Sequence, residues 1–430
     1  MSRVILSLFL VVAFASTNLS AATIEIDLTA GYQQDVWFNL KDKEVVKIAD
    51  KDNWDIAFQT GGINAGIRIN GQKGLKVWLV PGSDGESWSE PVDTTGMAAT
   101  WDSFLNSTSS WSIGAFNMGK DGTTDPNYSF GWGSYSMSSH FIAGEAVFVI
   151  KVNENTYKKF FVESLVNGKY DCYISDLDGS NEVNFIADKK EFENQNYFYY
   201  SIENNEFLSR EPNADNWHLV FGKYNILFDL GGGATMPYGV TGIRTNSNIK
   251  TAELNGVNPI EVSAPKPESS QYSSEIDVIG HDWKDLNDDF EYEIVSDKVF
   301  FLTSSDVSIE IYKLYFNSFE GSSTGKLSFE ISEVTTSVIE GNNDYSGKFT
   351  VYPNVISSNE NVNISMDLPN HGDFKISIVD MLGQSIVTKN LSAVNSFDTY
   401  TLQNLNLSQG MYFVTITTAN GTGSQKLIVE

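Results

Sequence analysis

Asn53-Trp54-Asp55-Ile56-Ala57-Phe58 is echoed later in the chain by Asn216-Trp217-His218-Leu219-Val220-Phe221. Both read as short, apolar, strand-forming runs. A second echo follows each: Gly66-Ile67-Arg68-Ile69-Asn70, then Gly242-Ile243-Arg244-Thr245-Asn246. The hairpin-like stretch Val147 to Leu165 returns as Val299 to Phe319, with Tyr157-Lys158-Lys159 matched by Tyr312-Lys313-Leu314. Even the lead-in recurs, as Val36-Trp37-Phe38 and then Tyr197-Phe198-Tyr199. Echoes that keep one order mark a duplication, so Thr23 to Val334 reads as two copies of one β module. Arg68 and Arg244 fall at matched positions, which implies an ion pair or a hydrogen-bond anchor in each copy.

Strand signals run outward from these motifs in both directions. Val147-Phe148-Val149-Ile150-Lys151-Val152 and Ile309-Glu310-Ile311-Tyr312-Lys313-Leu314-Tyr315-Phe316 are rich in β-branched and aromatic residues. Turn formers such as Pro81-Gly82, Asn167-Gly168, Asp178-Gly179 and Asn420-Gly421 separate such runs. No stretch sustains a 3.6-residue apolar period, so the expected class is all-β. The first module is expected over 23–190 and the second over 191–334. An insert from Gly71 to Met137 makes the pair asymmetric, because it holds Trp78, Trp88, Trp101, Trp111 and Trp132, five of the nine tryptophans.

The ends fix the compartment. Arg3 followed by the apolar run Val4 to Ala15, with Ser20-Ala21-Ala22 as a cleavage point, reads as a secretory signal peptide over 1–22. No later stretch approaches the length of a transmembrane helix. The lone Cys172 cannot form an internal disulfide and suits a small buried side chain. At 41% hydrophobic and 13% aromatic, the chain has the material for burial alone to fold it. A net charge of −27 argues against nucleic-acid and anionic-lipid partners.

After a polar linker at 335–347, the domain at 348–430 reads as an immunoglobulin-like β-sandwich of about seven strands. It carries Tyr352-Pro353-Asn354, Asp380-Met381-Leu382-Gly383, Gly410-Met411-Tyr412-Phe413-Val414-Thr415-Ile416 and the closing Gln425-Lys426-Leu427-Ile428-Val429. In that order these motifs resemble the C-terminal sorting domain of type IX secretion cargo. The resemblance implies export to the cell surface or medium and the type IX machinery as a partner.

The duplicated modules resemble the HmuY-like family of haem-binding surface proteins. The resemblance rests on Trp54-Asp55-Ile56-Ala57-Phe58, the Gly-Ile-Arg-x-Asn segment, the Val147 hairpin, Gly131-Trp132-Gly133-Ser134-Tyr135 and Ser139-His140. It implies haem as a cofactor, with His140 as the iron ligand. Met97, Met118 or Met137 would be a second soft donor, and Trp88, Trp101, Trp111 and Trp132 the apolar walls. Module 1 would then bind and module 2 would not, since Asp282, Asp285, Asp288 and Asp289 line its approach. A structural or adhesive surface protein that stacks glycan rings on the tryptophans, or binds protein, is the rival reading. Asp176, Asp178 and Glu182 imitate part of a calcium loop but read better as a hairpin turn. The four histidines are scattered and no nucleophile elbow or zinc-protease motif appears, so no catalytic activity is expected.

Overall fold

In Ile56–Gln59 and Leu219–Gly231 the period-2 geometry of a strand gives each motif two destinations. Ile56 and Phe58 enter one hydrophobic core, whereas Ala57 points to another cluster with Tyr197 and Tyr199. Leu219 and Phe221 likewise enter a second core, whereas Val220 joins Trp37 and Trp217. These facts come from a computed structural model describing residues 21–62, 64–118, 129–265, 269–304, 310–334, 348–367, 373–380, 384–392, 397–418 and 421–430. Apart from residues 21 and 22, the expected signal peptide lies outside them, as does the linker at 335–347. The fold is all-β, with Met97–Thr100 the one α-helix among the described residues.

Met1–Glu333 and Val334–Glu430 form two separate compact units. In the first, each core lies between a large sheet and a small one. The first core is closed by the small sheet Glu206–Leu208, Tyr197–Ser201, Ile56–Gln59, Ile67–Ile69. Its large sheet runs from Val183–Asp188 through Lys169–Ser175, Tyr157–Val166 and Val147–Lys151 to Lys76–Leu79. Cys172 lies in this core, where burial pushes its thiol well up and makes it a poor nucleophile.

The second core has the same plan with different chain order. Its large sheet runs Ala22–Asp27, Lys326–Val334, Ile311–Phe319, Val299–Ser304, Ile249–Leu254, and its small sheet Ala234–Thr245, Leu219–Gly231, Gln34–Asn39, Glu44–Asp50. The expected boundary at 190/191 therefore does not follow the sheets. The lead-in Tyr197–Ser201 pairs with Ile56–Gln59 of the first copy, and the lead-in Gln34–Asn39 pairs with Leu219–Gly231 of the second. The first module is one continuous stretch, while the N-terminal strands complete the second and enclose the first in sequence. Pairing explains this: an extended strand beside an open edge satisfies its backbone groups wherever in the chain it lies.

In the second unit, Lys348–Tyr352, Val362–Asp367 and Phe397–Leu402 form one sheet. Val355–Ile356, Gly421–Val429, Gly410–Thr418, Asp373–Asp380 and Ser385–Ser392 form the other. Alternate residues of both sheets, among them Val351, Ile364, Ile376, Ile378, Val414, Ile416 and Leu427, fill the core between them.

Candidate functional site

The outward faces of the two small sheets meet at a joint inside the first unit. Ala57, Arg68, Tyr197 and Tyr199 come from one sheet, and Asp35, Trp37, Val220 and Arg244 from the other. Between them lies a cavity of about 80 Å³ that Trp54, Trp111 and Trp217 also line. Both glycines of the Gly-Ile-Arg motifs are needed for close approach. A Cβ on Gly242 would lie 2.3 Å from the carbonyl oxygen of Gly280, and one on Gly66 would lie 2.8 Å from the Tyr197 hydroxyl.

The matched arginines have different fates. Arg68 donates from Nη1 to the carbonyls of Ser110, Trp111 and Ile113 at 2.9, 3.0 and 3.3 Å, and from Nη2 to that of Ser107 at 2.8 Å. It is the hydrogen-bond anchor expected from sequence, and what it anchors is the insert. Burial lowers its pKa to about 10. Arg244 lies against the faces of Trp111 and Tyr224, 4.7 and 5.3 Å from the ring centroids. Among the described residues, its guanidinium makes no hydrogen bond or ion pair, so the expected anchor is missing in the second module. Burial, first of all, lowers its pKa too.

A third arginine comes from neither motif. Arg210 pairs with Asp35 at 3.0 Å, donates to the Asp50 carbonyl and the Asn53 side chain, and lies over Trp37, Trp54 and Tyr199. Beside it Glu211 accepts from the Tyr197 N–H at 2.6 Å and the Tyr199 hydroxyl at 3.0 Å. Burial pushes its carboxyl up to about 7. Three guanidinium groups thus face two carboxylates, a positive balance in a chain of net charge −27. Trp111 closes the joint, donating from Nε1 to the Thr245 carbonyl at 2.7 Å. The indole N–H groups of Trp54 and Trp217, which occupy matched positions, are buried with no acceptor among the described residues.

The residues proposed from sequence do not gather. Trp132 is fully buried in the first core, donating to the Ala65 carbonyl. Met97 and Trp101 pack with Trp78 and Val149. Trp88 stacks on Phe161 under Lys159, whose Nζ lies 4.7 Å from the Trp88 centroid. His140 sits at φ 58° on an exposed turn, with Nδ1 3.0 Å from the Tyr135 hydroxyl. Met137 and Met118 are also exposed, at 63% and 51%. Of the eight, Trp111 alone lines the joint. Five are thus packing or interface tryptophans and a buried methionine, explained by apolar burial, and the other three are surface residues. Asp176 caps its own turn, accepting from Asn181 and pairing with Lys158, as a hairpin reading requires.

Sequence reasoning missed Arg210, Glu211, Asp35 and Tyr224, which carry no echo between the copies. Alternation offered a signal: once Ile56 and Phe58 face a core, Ala57 and its neighbours across the sheet must face something else.

Residues 350–430 match the family described as the secretion system C-terminal sorting domain. No curated protein matches the sequence. Among solved structures, Escherichia coli alpha-2-macroglobulin is 10% identical, with 69% of this chain and 23% of that one covered and a TM-score of 0.19. A polysaccharide lyase is 8% identical, with 95% and 46% covered and a TM-score of 0.17. Dimeric latent PorU from Porphyromonas gingivalis is 8% identical, with 88% and 34% covered and a TM-score of 0.18. The chain spans less than half the length of each of these three. No helix among the described residues is long and apolar enough to cross a membrane. The C-terminal unit is a type IX secretion sorting domain, and the protein that bears it is exported to the cell surface or the extracellular space.

Proposed function

We propose that the chain is an exported capture protein, carried out by its sorting domain, which holds a small ligand at the joint between its two modules. The observation that supports this is the cavity itself. Its walls combine aromatic faces with charged groups and leave a buried indole N–H, that of Trp217, without an acceptor among the described residues. An orphaned buried donor costs about 1–3 kcal/mol, so a site that carries one gains when a ligand supplies the acceptor. A volume of about 80 Å³ admits several waters or a small molecule, and excludes a whole macrocycle unless the joint opens.

Haem capture, with the HmuY-like kinship that suggests it, is the finer form of this reading. The joint has neither histidine nor methionine among its lining residues, so haem would have to bind elsewhere, at the exposed turn of His140. An adhesive role is favoured by a different feature. The hairpin Leu219–Gly231 and Ala234–Thr245 extends beyond its sheet partners, exposing Leu227, Phe228, Leu230, Met236 and Tyr238.

Thermal melting of the full chain with haemin, neutral sugars and small organic acids tests the capture reading. A ligand should raise the melting temperature of the wild type and not that of Thr108→Trp, which plugs the joint. Equal shifts in both would move the site away from the joint. If no ligand acts, while Leu227→Ser with Phe228→Ser abolishes attachment to a glycan- or protein-coated surface, the adhesive reading replaces it.

A further inference from the structure

We infer that the joint selects a small organic carboxylate, with Arg244 as the group that reads the carboxylate. The inference rests on the joint being a ligand site and adds the chemical class of what it takes. The duplication supplies the comparison. At matched positions on matched strands, Arg68 places its guanidinium where four backbone carbonyls converge. Those carbonyls belong to the 107–113 segment of the insert, which only the first module possesses. In the second module the 276–280 segment runs beside Arg244, accepting from the Ile243 N–H at the Gly280 carbonyl and from the Thr245 N–H at the Ile276 carbonyl, yet none of its carbonyls accepts from the Arg244 guanidinium. The Arg244 guanidinium lines the cavity without an acceptor among the described residues and lies over the Trp111 and Tyr224 rings.

A guanidinium that packs on aromatic rings and makes no hydrogen bond to the described residues keeps its N–H fork available, and that fork fits a carboxylate with two parallel hydrogen bonds. The charge balance agrees. Asp35 is held by Arg210, and Glu211 is spent on the backbone of Tyr197 and the hydroxyl of Tyr199. The charge of Asp35 favours the charged form of Arg244, but neither carboxylate hydrogen-bonds to its guanidinium, so its N–H donors remain for an anionic ligand. The rest of the ligand would lie against Trp37, Trp54 and Trp217, with the Asn225 amide within the same walls to meet a hydroxyl group. Free uronic acids and uronic residues at the end of an oligosaccharide share this chemistry.

Calorimetric titration of the full chain with galacturonate, a galacturonate trimer, galactose and sodium sulfate tests it. Galacturonate should bind, and galactose should bind at least tenfold more weakly. Arg244→Met should lose about ten- to hundredfold in affinity, the equivalent of a charge-assisted hydrogen bond, and Arg244→Lys should lose less. Since Arg244 gives up no hydrogen bond to the described residues, Arg244→Met should melt like the wild type, so a loss of binding reads as recognition. Binding of the trimer as tight as the monomer points to a polymer end; monomer binding alone points to the free acid. Galactose binding as tightly as galacturonate, or acid binding that survives Arg244→Met, overturns the inference and leaves small-ligand capture standing. Sulfate binding without galacturonate also overturns it, in favour of a bare oxyanion. If neither these compounds nor any ligand of the melting screen binds, both readings fall together.

Discussion

Asn70 and Asn246 make the same two hydrogen bonds in the two modules. The Asn70 amide donates to the carbonyls of Lys51 and Trp54 at 2.7 and 3.0 Å, and that of Asn246 to those of Ala214 and Trp217 at 2.7 and 2.9 Å. The backbone agrees: the Asn70 N–H reaches the Asp55 carbonyl as the Asn246 N–H reaches that of His218. Each asparagine thus ties the end of its Gly-Ile-Arg strand to the turn that carries the matched tryptophan. This is the physical content of the duplication, held by the last residue of one motif gripping the first residues of the other.

Asn70→Ala and Asn246→Ala should therefore destabilise the first unit to similar extents. Each leaves two carbonyls in mostly part-buried surroundings without their donor, a cost of up to about 1–3 kcal/mol per unmet group before relaxation. Urea denaturation followed by tryptophan fluorescence measures both. A large loss for one and none for the other would mean that the two turns are held differently.

The enclosed arrangement of the modules predicts which fragments fold. All buried residues of the first core fall between Ile56 and Tyr200, in one stretch of chain. The second core needs Ile26, Val36 and Phe38 together with Leu219, Phe300 and Phe329. A fragment of residues 53–211 should give a cooperative thermal transition by itself. Residues 212–333 should not, until residues 22–50 are supplied or fused at the far end. Independent folding of 212–333 would show that the N-terminal strands are dispensable to that core.

Much of the fold was legible because β-structure writes itself into local sequence. The alternation around Ile56 and Leu219 identified strands, and the ordered echoes identified the repeat. Pairing was not legible, because Tyr197 and Val36 look alike as strand residues and nothing local says which edge each will close. The site was hidden for a related reason. His140 and the tryptophans of the insert stood out by residue type, yet apolar packing claims Trp132, Trp101 and Met97. The joint is built from the reverse faces of core strands: Trp37, Trp54, Tyr197, Tyr199 and Trp217 stand in the echoed motifs as strand residues, and nothing local shows that their faces meet.

Arg68 and Arg244 should part company when each is replaced by lysine. Lysine keeps the charge and loses the planar fork. At position 68 a single ammonium cannot reach all of the carbonyls of Ser107, Ser110, Trp111 and Ile113, so Arg68→Lys should cost about 1–3 kcal/mol. Hydrogen exchange in 107–117 should rise with it. At position 244 no hydrogen bond among the described residues is forfeited, and Arg244→Lys should stay within about 0.5 kcal/mol of the wild type. The reverse order in denaturation experiments would contradict the contrast between an anchoring Arg68 and an unbonded Arg244.

Glu211 should make the first unit lose stability as the solution becomes less acidic. Burial holds its carboxyl at about 7 in the folded protein, against 4.5 as its ordinary value. The hydrogen bonds from Tyr197 and Tyr199 and the charge of Arg210 offset only part of that penalty. Because the folded pKa is the higher one, the folded state binds the extra proton between these two values. The stabilisation is complete below about 4.5 and is lost as pH rises through about 7, with a total on the order of 3 kcal/mol. Other groups work in the opposite sense. His218 and His281 are lowered by burial, and Lys284 is lowered to about 7, so their contributions grow with pH. The wild-type curve alone would mix these effects, and the comparison with Glu211→Gln separates them. Glutamine keeps an acceptor for the Tyr197 N–H and cannot ionise. Urea denaturation of both proteins at pH 5, 6, 7 and 8 should show the wild type losing ground steadily against Glu211→Gln as pH rises. Parallel curves would mean that Glu211 is ionised when folded, with Arg210 stabilising its charge after all.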